Sequence, residues 1–254
     1  IAKADQQFIE FLVREHLTMS HVAQKQDMSD PEVIQAFAKR VGNEKYLRGL
    51  YLLTVADIRG TSPKVWNAWK GKLLEDLYRA SAAVLGGQTH DPDAVVEMRK
   101  REALETLNLY AMPFESHKDL WSTLDVGYFM RHEAADIAWH TRQLSRPLAL
   151  AKAAGQAPGV TVKARLSPLG EGLQVMVYTP DQADLFARIC GYFEQAGFSI
   201  LDAKIHTAKN GYALDTFQVV TPMLNAHYRE LTPMVENDLK IALDQAGPLP
   251  QPGR

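Results

Sequence analysis

His16 and Asp57 are the residues of this sequence whose types and settings come nearest to a metal site. In ADQQFIEFLVREHL, His16 follows Ile9, Leu12 and Val13 at helical spacing, on what reads as an apolar helix face. In LYLLTVADIRGTSP, Leu50, Leu53 and Asp57 fall at i, i+3 and i+7, again on one stripe. A carboxylate on a stripe that faces a core is costly unless it is hydrogen-bonded, neutralised or bound to a cation. Three readings of Asp57 are therefore open: an arginine partner (Arg59 is near in sequence), a position just past the buried zone, or a bound cation. The plainest reading of His16 is a core histidine with its hydrogen bonds satisfied. Taken together, imidazole and carboxylate suit a divalent metal that activates water, but two ligands do not make a site.

A second stripe carries His132, Asp136 and His140 at i, i+4 and i+8. Eight residues of helix span about 12 Å, so all three cannot reach one ion. A hydrogen-bonded helix–helix interface beside Tyr128 and Trp139 is the alternative. A third candidate is VYTPDQADLFARI, where a strand turns into a helix. Thr179 or Asp181 can cap that helix, and free backbone N–H groups there can bind a carboxylate.

The first 150 residues, which must position the first two candidates, carry helix periodicity. Phe8, Ile9, Leu12, Val13 and His16 are expected to form one buried face. In SDPEVIQAFAKRVG, Ser29 or Asp30 caps, Pro31 fits the first turn and Gly42 stops the helix. A helix over Lys45 to Ile58 follows. The next is expected to open with Ser62 as cap and Pro63 at its first position, to bury Trp66, Trp69, Leu73, Leu77 and Leu85, and to end at Gly86 and Gly87. Asp91 and Pro92 begin a charged helix that Pro113 ends, and one further helix covers roughly Leu120 to Leu144. PLALAKAAGQAPG reads as a linker.

From Val160 the period changes to strands and short helices. TVKARL and LQVMVY alternate, QADLFARICGYFEQAG is an amphipathic helix closed by Gly197, and FSILDAKIHTA and YALDTFQVV form a hairpin about Lys209-Asn210-Gly211. A last helix runs to about Gly247, with Thr232 and Pro233 marking a start or restart. The order β-α-β-β-α is a ferredoxin-like unit without its closing strand. Val160 to Leu166 is expected to fill that vacant edge.

The 254 residues allow one large domain or two ordinary ones; 46% are hydrophobic and 23% charged, as in an ordinary globular protein. The net charge of −2 gives no sign of a basic nucleic-acid-binding face. The lone cysteine, Cys190, excludes a disulfide framework and a cysteine zinc site. No apolar run reaches membrane-spanning length and no signal-peptide pattern opens the chain, so no membrane partner and a cytoplasmic location are expected. The opening IAKADQQF lacks an initiator Met, and the sequence is expected to be a piece of a longer chain.

Four stretches in order carry a resemblance: HLTMSHVAQKQDMSDPEVI, LYLLTVADIRGTSPKVWNAWK, YFMRHEAADIAWHTRQL, and VYTPDQADLFARICGYFEQAGFSILDAKIHTAKNGYALDTFQV. Each is similar to the bifunctional PII uridylyltransferase/uridylyl-removing enzymes of bacterial nitrogen control. The resemblance spans nearly the whole chain. It implies an α+β chain, with an all-helical HD-type region followed by a ferredoxin-like (βαββα) ACT domain. Residues 1–86 would be part of a metal-dependent HD phosphohydrolase domain, 87–157 a helical connector, 158–247 most of an ACT domain, and 248–254 a tail. It further implies that Asp57 matches the last metal-ligand aspartate of the HD pattern, with Mg²⁺ or Mn²⁺ as the ion and His16 as a catalytic residue, ligand or orienter. Thr179, Asp181, Gln182 and Asp184 would contact an effector, glutamine. UTP and UMP would be the nucleotides of the parent enzyme and PII its protein partner.

The sequence also departs from the family pattern. No adjacent His-Asp pair stands ahead of Asp57, where the HD pattern carries the pair that names it, and a Gly-Ser nucleotidyltransferase motif with paired aspartates is absent. Asp184 stands where many ACT domains carry a glycine. These departures imply a chain that cannot uridylylate alone, a hydrolase site that is incomplete, and a regulatory or interaction module as the alternative to an enzyme.

Overall fold

The computed structural model describes residues 2–61, 65–87, 91–222 and 224–245. The chain divides into two compact units, Ile1–Asp91 and Pro92–Arg254.

The first unit is helical: α1 (Lys3–Glu15), α2 (Thr18–Lys25), α3 (Pro31–Val41), α4 (Glu44–Thr61) and α5 (Ala68–Leu85). Helix α5 packs on α2, α3 and α4, around Met19, Ile34, Phe37, Leu47, Leu50, Leu74 and Leu77. Asp30 caps α3 by accepting the Glu32 N–H at 2.9 Å, Pro31 sits in its first turn, and Gly42 leaves it at φ 87°. Helix α5 begins later than expected. Asn67 caps it, accepting the Lys70 N–H at 2.8 Å. The expected start at Ser62 and Pro63 falls outside the described residues, and Val65 to Asn67 are not helical.

The buried face of α1 also differs from expectation. Phe11 and Glu15 point inward, whereas Ile9, Val13 and His16 are exposed. The inward polar group is the Glu15 carboxylate, which accepts from Arg40 Nε at 2.8 Å and Thr18 Oγ1 at 2.7 Å. Burial raises the Glu15 carboxyl, but Thr18, Arg14 and Arg40 outweigh it and hold the carboxyl below its usual range. These partners lie ahead of Glu15 in the chain or on its own helix end, and together they rotate α1 away from the face that hydrophobicity alone suggests.

The second unit opens with α6 (Pro92–Leu109), α7 (Lys118–Trp121), α8 (Val126–Arg131) and α9 (Ala134–Ala153). The single helix expected over Leu120 to Leu144 is thus three. Asp125 caps α8 through the Tyr128 N–H, and His132 stops it with extended backbone (φ −110°, ψ 138°). Helix α6 ends at Leu109, four residues before Pro113. The expected linker is largely helix, because α9 continues through Pro147 to Ala153. Its Ala and Leu residues favour helix strongly enough to outweigh one proline.

A four-stranded antiparallel sheet follows, built from β1 (Thr161–Leu166), β2 (Leu173–Pro180), β3 (Ser199–Lys204) and β4 (Tyr212–Val220), with α10 (Leu185–Gln195) after β2 and α11 (Leu224–Asp244) after β4. The spatial order is β1-β2-β4-β3. Strand β1 pairs with β2 at the edge a closing strand would take, from Thr161↔Tyr178 to Leu166↔Leu173. Its outward Ala164 N–H is taken by Glu236 of α11 at 2.9 Å. The β3–β4 turn falls at Lys209-Asn210-Gly211, with Gly211 at φ 78° donating to the Ala208 carbonyl. Helix α11 is continuous through Thr232 and Pro233.

Each face of the sheet is covered. Val175, Val177, Phe217 and Val219 pack with Ile189 and Phe193 of α10 and Val235 and Leu239 of α11. Met176, Tyr178 and Leu214 pack with Tyr128, Ile137 and Leu144 of α8 and α9, and with Ala103 and Leu107 of α6. The alternation of β2 and β4 therefore places one apolar set under each helical layer. This is an α+β chain, helices first and an ACT-like sheet after.

Candidate functional site

Asp57 is exposed in the last turn of α4. The buried stripe of that helix runs through Leu47, Leu50 and Thr54, and Thr54 Oγ1 donates to the Leu50 carbonyl at 2.7 Å. Asp57 lies past it, and one carboxylate oxygen accepts from Thr61 Oγ1 at 3.1 Å. Of the three readings of Asp57, the position beyond the buried zone is the one observed, and the core-facing premise is corrected. His16 is likewise exposed, with Nδ1 donating to the Val13 carbonyl at 2.8 Å. Among the described residues, no three His, Cys, Asp or Glu side chains gather as a metal site would require.

The polar residues that do converge lie between α8, α9 and the sheet. His132 and His140 meet with ring centroids 5.1 Å apart because the chain breaks helix between them. Both are fully buried. His132 Nδ1 lies 2.9 Å from the Tyr128 carbonyl, which can only accept, so Nδ1 carries the proton and Nε2 is an acceptor. Thr216 Oγ1, on β4, lies 3.4 Å from His132 Nε2 and donates there. The same oxygen accepts from His140 Nε2–H at 3.2 Å, which leaves His140 Nδ1 to accept from the Tyr128 hydroxyl at 2.7 Å. The bonds close a ring that starts and ends at Tyr128. It fixes opposite tautomers on the two imidazoles.

Burial drives both histidines toward the neutral form. It lowers His132 well below the ordinary value, helped by His140 and Lys204, and it lowers His140 to about 3, helped by Arg165 and Lys204. Burial also pushes the Tyr128 hydroxyl well up. Asp136, the middle of the expected stripe, turns to other partners. Its Oδ1 accepts from Arg165 Nη2 at 2.8 Å and from Gln174 Nε2 at 3.0 Å, and Arg165 lies 4.1 Å over the Trp139 ring. The interface is helix on sheet, where the sequence suggested helix on helix.

The residues expected to contact an effector lie at the other end of β2. Thr179 is buried, while Asp181, Gln182 and Asp184 are exposed. Neither Thr179 nor Asp181 caps α10; Asp184 occupies the cap position at φ 63°, a glycine-like backbone that aspartate tolerates, and its side chain makes no capping bond. Asp181 Oδ2 accepts from Thr207 Oγ1 at 2.9 Å. Asp215, buried on the same side of the sheet, accepts the His206 N–H at 3.1 Å. Burial raises its carboxyl to about 6 and the neighbouring Asp181 charge adds to this, against the His206 bond.

Sequence reasoning named Tyr128 beside the histidine stripe but missed Arg165, Gln174, Thr216 and Asp215 as members of these networks. The available signal for the last two was the consecutive Asp-Thr in YALDTFQVV, which puts one polar group on each face of an otherwise apolar strand.

Comparison with known proteins decides the family. The chain is 57% identical over 258 residues to a bifunctional uridylyltransferase/uridylyl-removing enzyme of Ralstonia nicotianae, a match that covers 100% of this chain and 29% of that enzyme. The enzymes of the same description from Cupriavidus pinatubonensis and Burkholderia thailandensis are 55% and 54% identical, again over 100% of this chain and 29% of theirs. The chain belongs to this family. It spans about 29% of the length of the curated relatives it matches. Residues 91–143, from the start of α6 into α9, match the family model described as the uridylyltransferase GlnD fifth domain. The histidine ring thus joins that domain to the sheet that follows it. No solved structure matches the chain. No helix among the described residues is long and apolar enough to cross a membrane.

Proposed function

We propose that this chain works as a regulatory part of a bifunctional enzyme that transfers UMP from UTP to the protein PII and removes it again by phosphodiester hydrolysis. Its sheet-containing unit senses glutamine at the β2–α10 loop, through the backbone beside Asp181, Gln182 and Asp184 and the Thr179 hydroxyl. The observation that carries this reading is the identity of 57% along the whole chain to an enzyme that both adds and removes uridylyl groups. The glycine-like backbone of Asp184 at the start of α10 supports a loop that lets a small molecule approach main-chain N–H groups. Titration calorimetry of the chain with L-glutamine tests it. Saturable heat that is weakened at least fivefold by Asp181→Ala is expected; absence of binding by the unaltered chain overturns the sensing role.

A second reading is favoured by the outward positions of Asp57 and His16 and by the lack of a three-ligand cluster among the described residues. On it, the chain in isolation binds and regulates without catalysing hydrolysis. Incubation with uridylylated PII and Mn²⁺ separates the two: UMP release by the chain itself counts against it. In a full-length family member, Asp57→Ala is expected to abolish UMP removal and spare UMP addition if this aspartate serves the hydrolytic metal there.

A further inference from the structure

We infer that strand β4 is a two-sided connector, in which Asp215 and Thr216 tie the β2–α10 loop on one face of the sheet to helices α8 and α9 on the other. This rests on the glutamine-sensing reading above and adds the route by which occupancy would reach the neighbouring helical domain.

The route alternates hydrogen bonds with single peptide links, Thr207 to His206 and Asp215 to Thr216. Asp181, in the β2–α10 loop, accepts from Thr207 Oγ1 at 2.9 Å, and its own N–H donates to the Gly211 carbonyl at 2.9 Å. His206, the residue before Thr207, donates its N–H to Asp215 Oδ1 at 3.1 Å, and its carbonyl accepts the Leu214 N–H at 2.8 Å. Asp215 and Thr216 are consecutive on a strand, so their side chains point to opposite faces. Thr216 then supplies the hydroxyl shared by His132 and His140. Arg131 of α8 also reaches back, with Nη1 donating to the Ile205 carbonyl at 3.3 Å.

The chemistry of the ring makes Thr216 its one necessary bridge. Both imidazoles are committed at Nδ1 to Tyr128, and their two Nε2 atoms need one donor and one acceptor in the same place. Only a hydroxyl meets both needs at one atom. A displacement of β4 along its own axis therefore either carries α8 and α9 with it or strands a buried imidazole nitrogen, which is expensive. An effector that pulls on Asp181 or displaces the Thr207 bond acts at the loop end of that strand.

The test compares the chain with Thr216→Val and Thr216→Ser, each titrated with L-glutamine by calorimetry and followed by hydrogen–deuterium exchange. In the unaltered chain, glutamine is expected to change exchange both in residues 181–188 and in residues 126–140. Thr216→Val is expected to keep glutamine affinity within about threefold and to lose the change at residues 126–140. Thr216→Ser, which restores the hydroxyl, is expected to recover it. Glutamine binding that alters residues 181–188 but leaves 126–140 unchanged in the unaltered chain overturns the connector while the sensing reading stands. So does an unchanged helical response in Thr216→Val. No binding at all by the unaltered chain overturns both. Should Thr216→Val misfold, the response of residues 126–140 in the unaltered chain still decides for or against the connector, because it needs no variant.

Discussion

His132 and His140 lie eight positions apart in sequence, yet their rings meet at 5.1 Å and share the single hydroxyl of Thr216. The extended residue His132 makes this possible by ending α8 and letting α9 start afresh at Ala134. Two buried neutral imidazoles at such a joint tie the stability of the unit to pH.

His140 is lowered from an ordinary 6.5 to about 3, and His132 moves in the same direction. Between these values the unfolded chain binds protons that the folded chain refuses. The stabilisation is complete above pH 6.5 and is lost as pH falls below that value, down to about 3 for His140, with His132 adding a loss in the same direction. Asp215 opposes this only between about 6 and its ordinary 3.8, where the folded chain holds the extra proton. Urea denaturation at pH 7.5, 6.5 and 5.5 is expected to give a midpoint that falls at the lowest pH. A midpoint that rises there would contradict the neutral ring.

Asp136→Ala is expected to destabilise the second unit by about 3 kcal/mol, because it leaves Arg165 and Gln174 without their shared acceptor under Trp139. The Arg165 side chain is partly exposed, which keeps the loss at the lower end for a buried pair. Chemical denaturation measures it, and a loss under 1 kcal/mol would show that the pair is solvent-screened.

Gly172 and Gly49 make a contrasting pair. A Cβ on Gly172 would lie 2.2 Å from the Val219 carbonyl oxygen, at a residue with φ 79°. One on Gly49 would lie 2.4 Å from the Phe8 ring tip, which can swing aside. Gly172→Ala is expected to cost more than about 2 kcal/mol, from backbone strain and the clash together, and Gly49→Ala clearly less. Thermal melts of both variants check the order.

Asp57→Ala is expected to change the stability of this chain by less than about 0.5 kcal/mol, since an exposed carboxylate bonded to one exposed threonine contributes little. Urea midpoints within error of the unaltered chain are the outcome that agrees with its outward position; a large loss would mean that the carboxylate serves the core after all.

What was legible in the sequence was local. The Asp30 cap and Pro31 of α3, the turn at Gly211, and the use of Thr161–Leu166 to close a vacant sheet edge each depend on neighbours in the chain or on a strand count. What failed depended on distant partners. Glu15 turned α1 because Arg40 stands on another helix, and nothing near His16 announced it. The His132-Asp136-His140 stripe was noticed, but its geometry was set by a break at His132 and by Thr216, 76 and 84 positions further on. A period of 3.6 continued through Glu133 looks the same whether or not the helix does.

The contact of Glu236 with Ala164 has a consequence for assembly. One margin of the sheet is already sealed by a carboxylate from the chain's own last helix, and Lys163 is held by the same group at 2.9 Å. A strand arriving beside β1 would have to displace that carboxylate from the Ala164 N–H, a cost that arrival beside β3, the opposite edge of the sheet, does not carry.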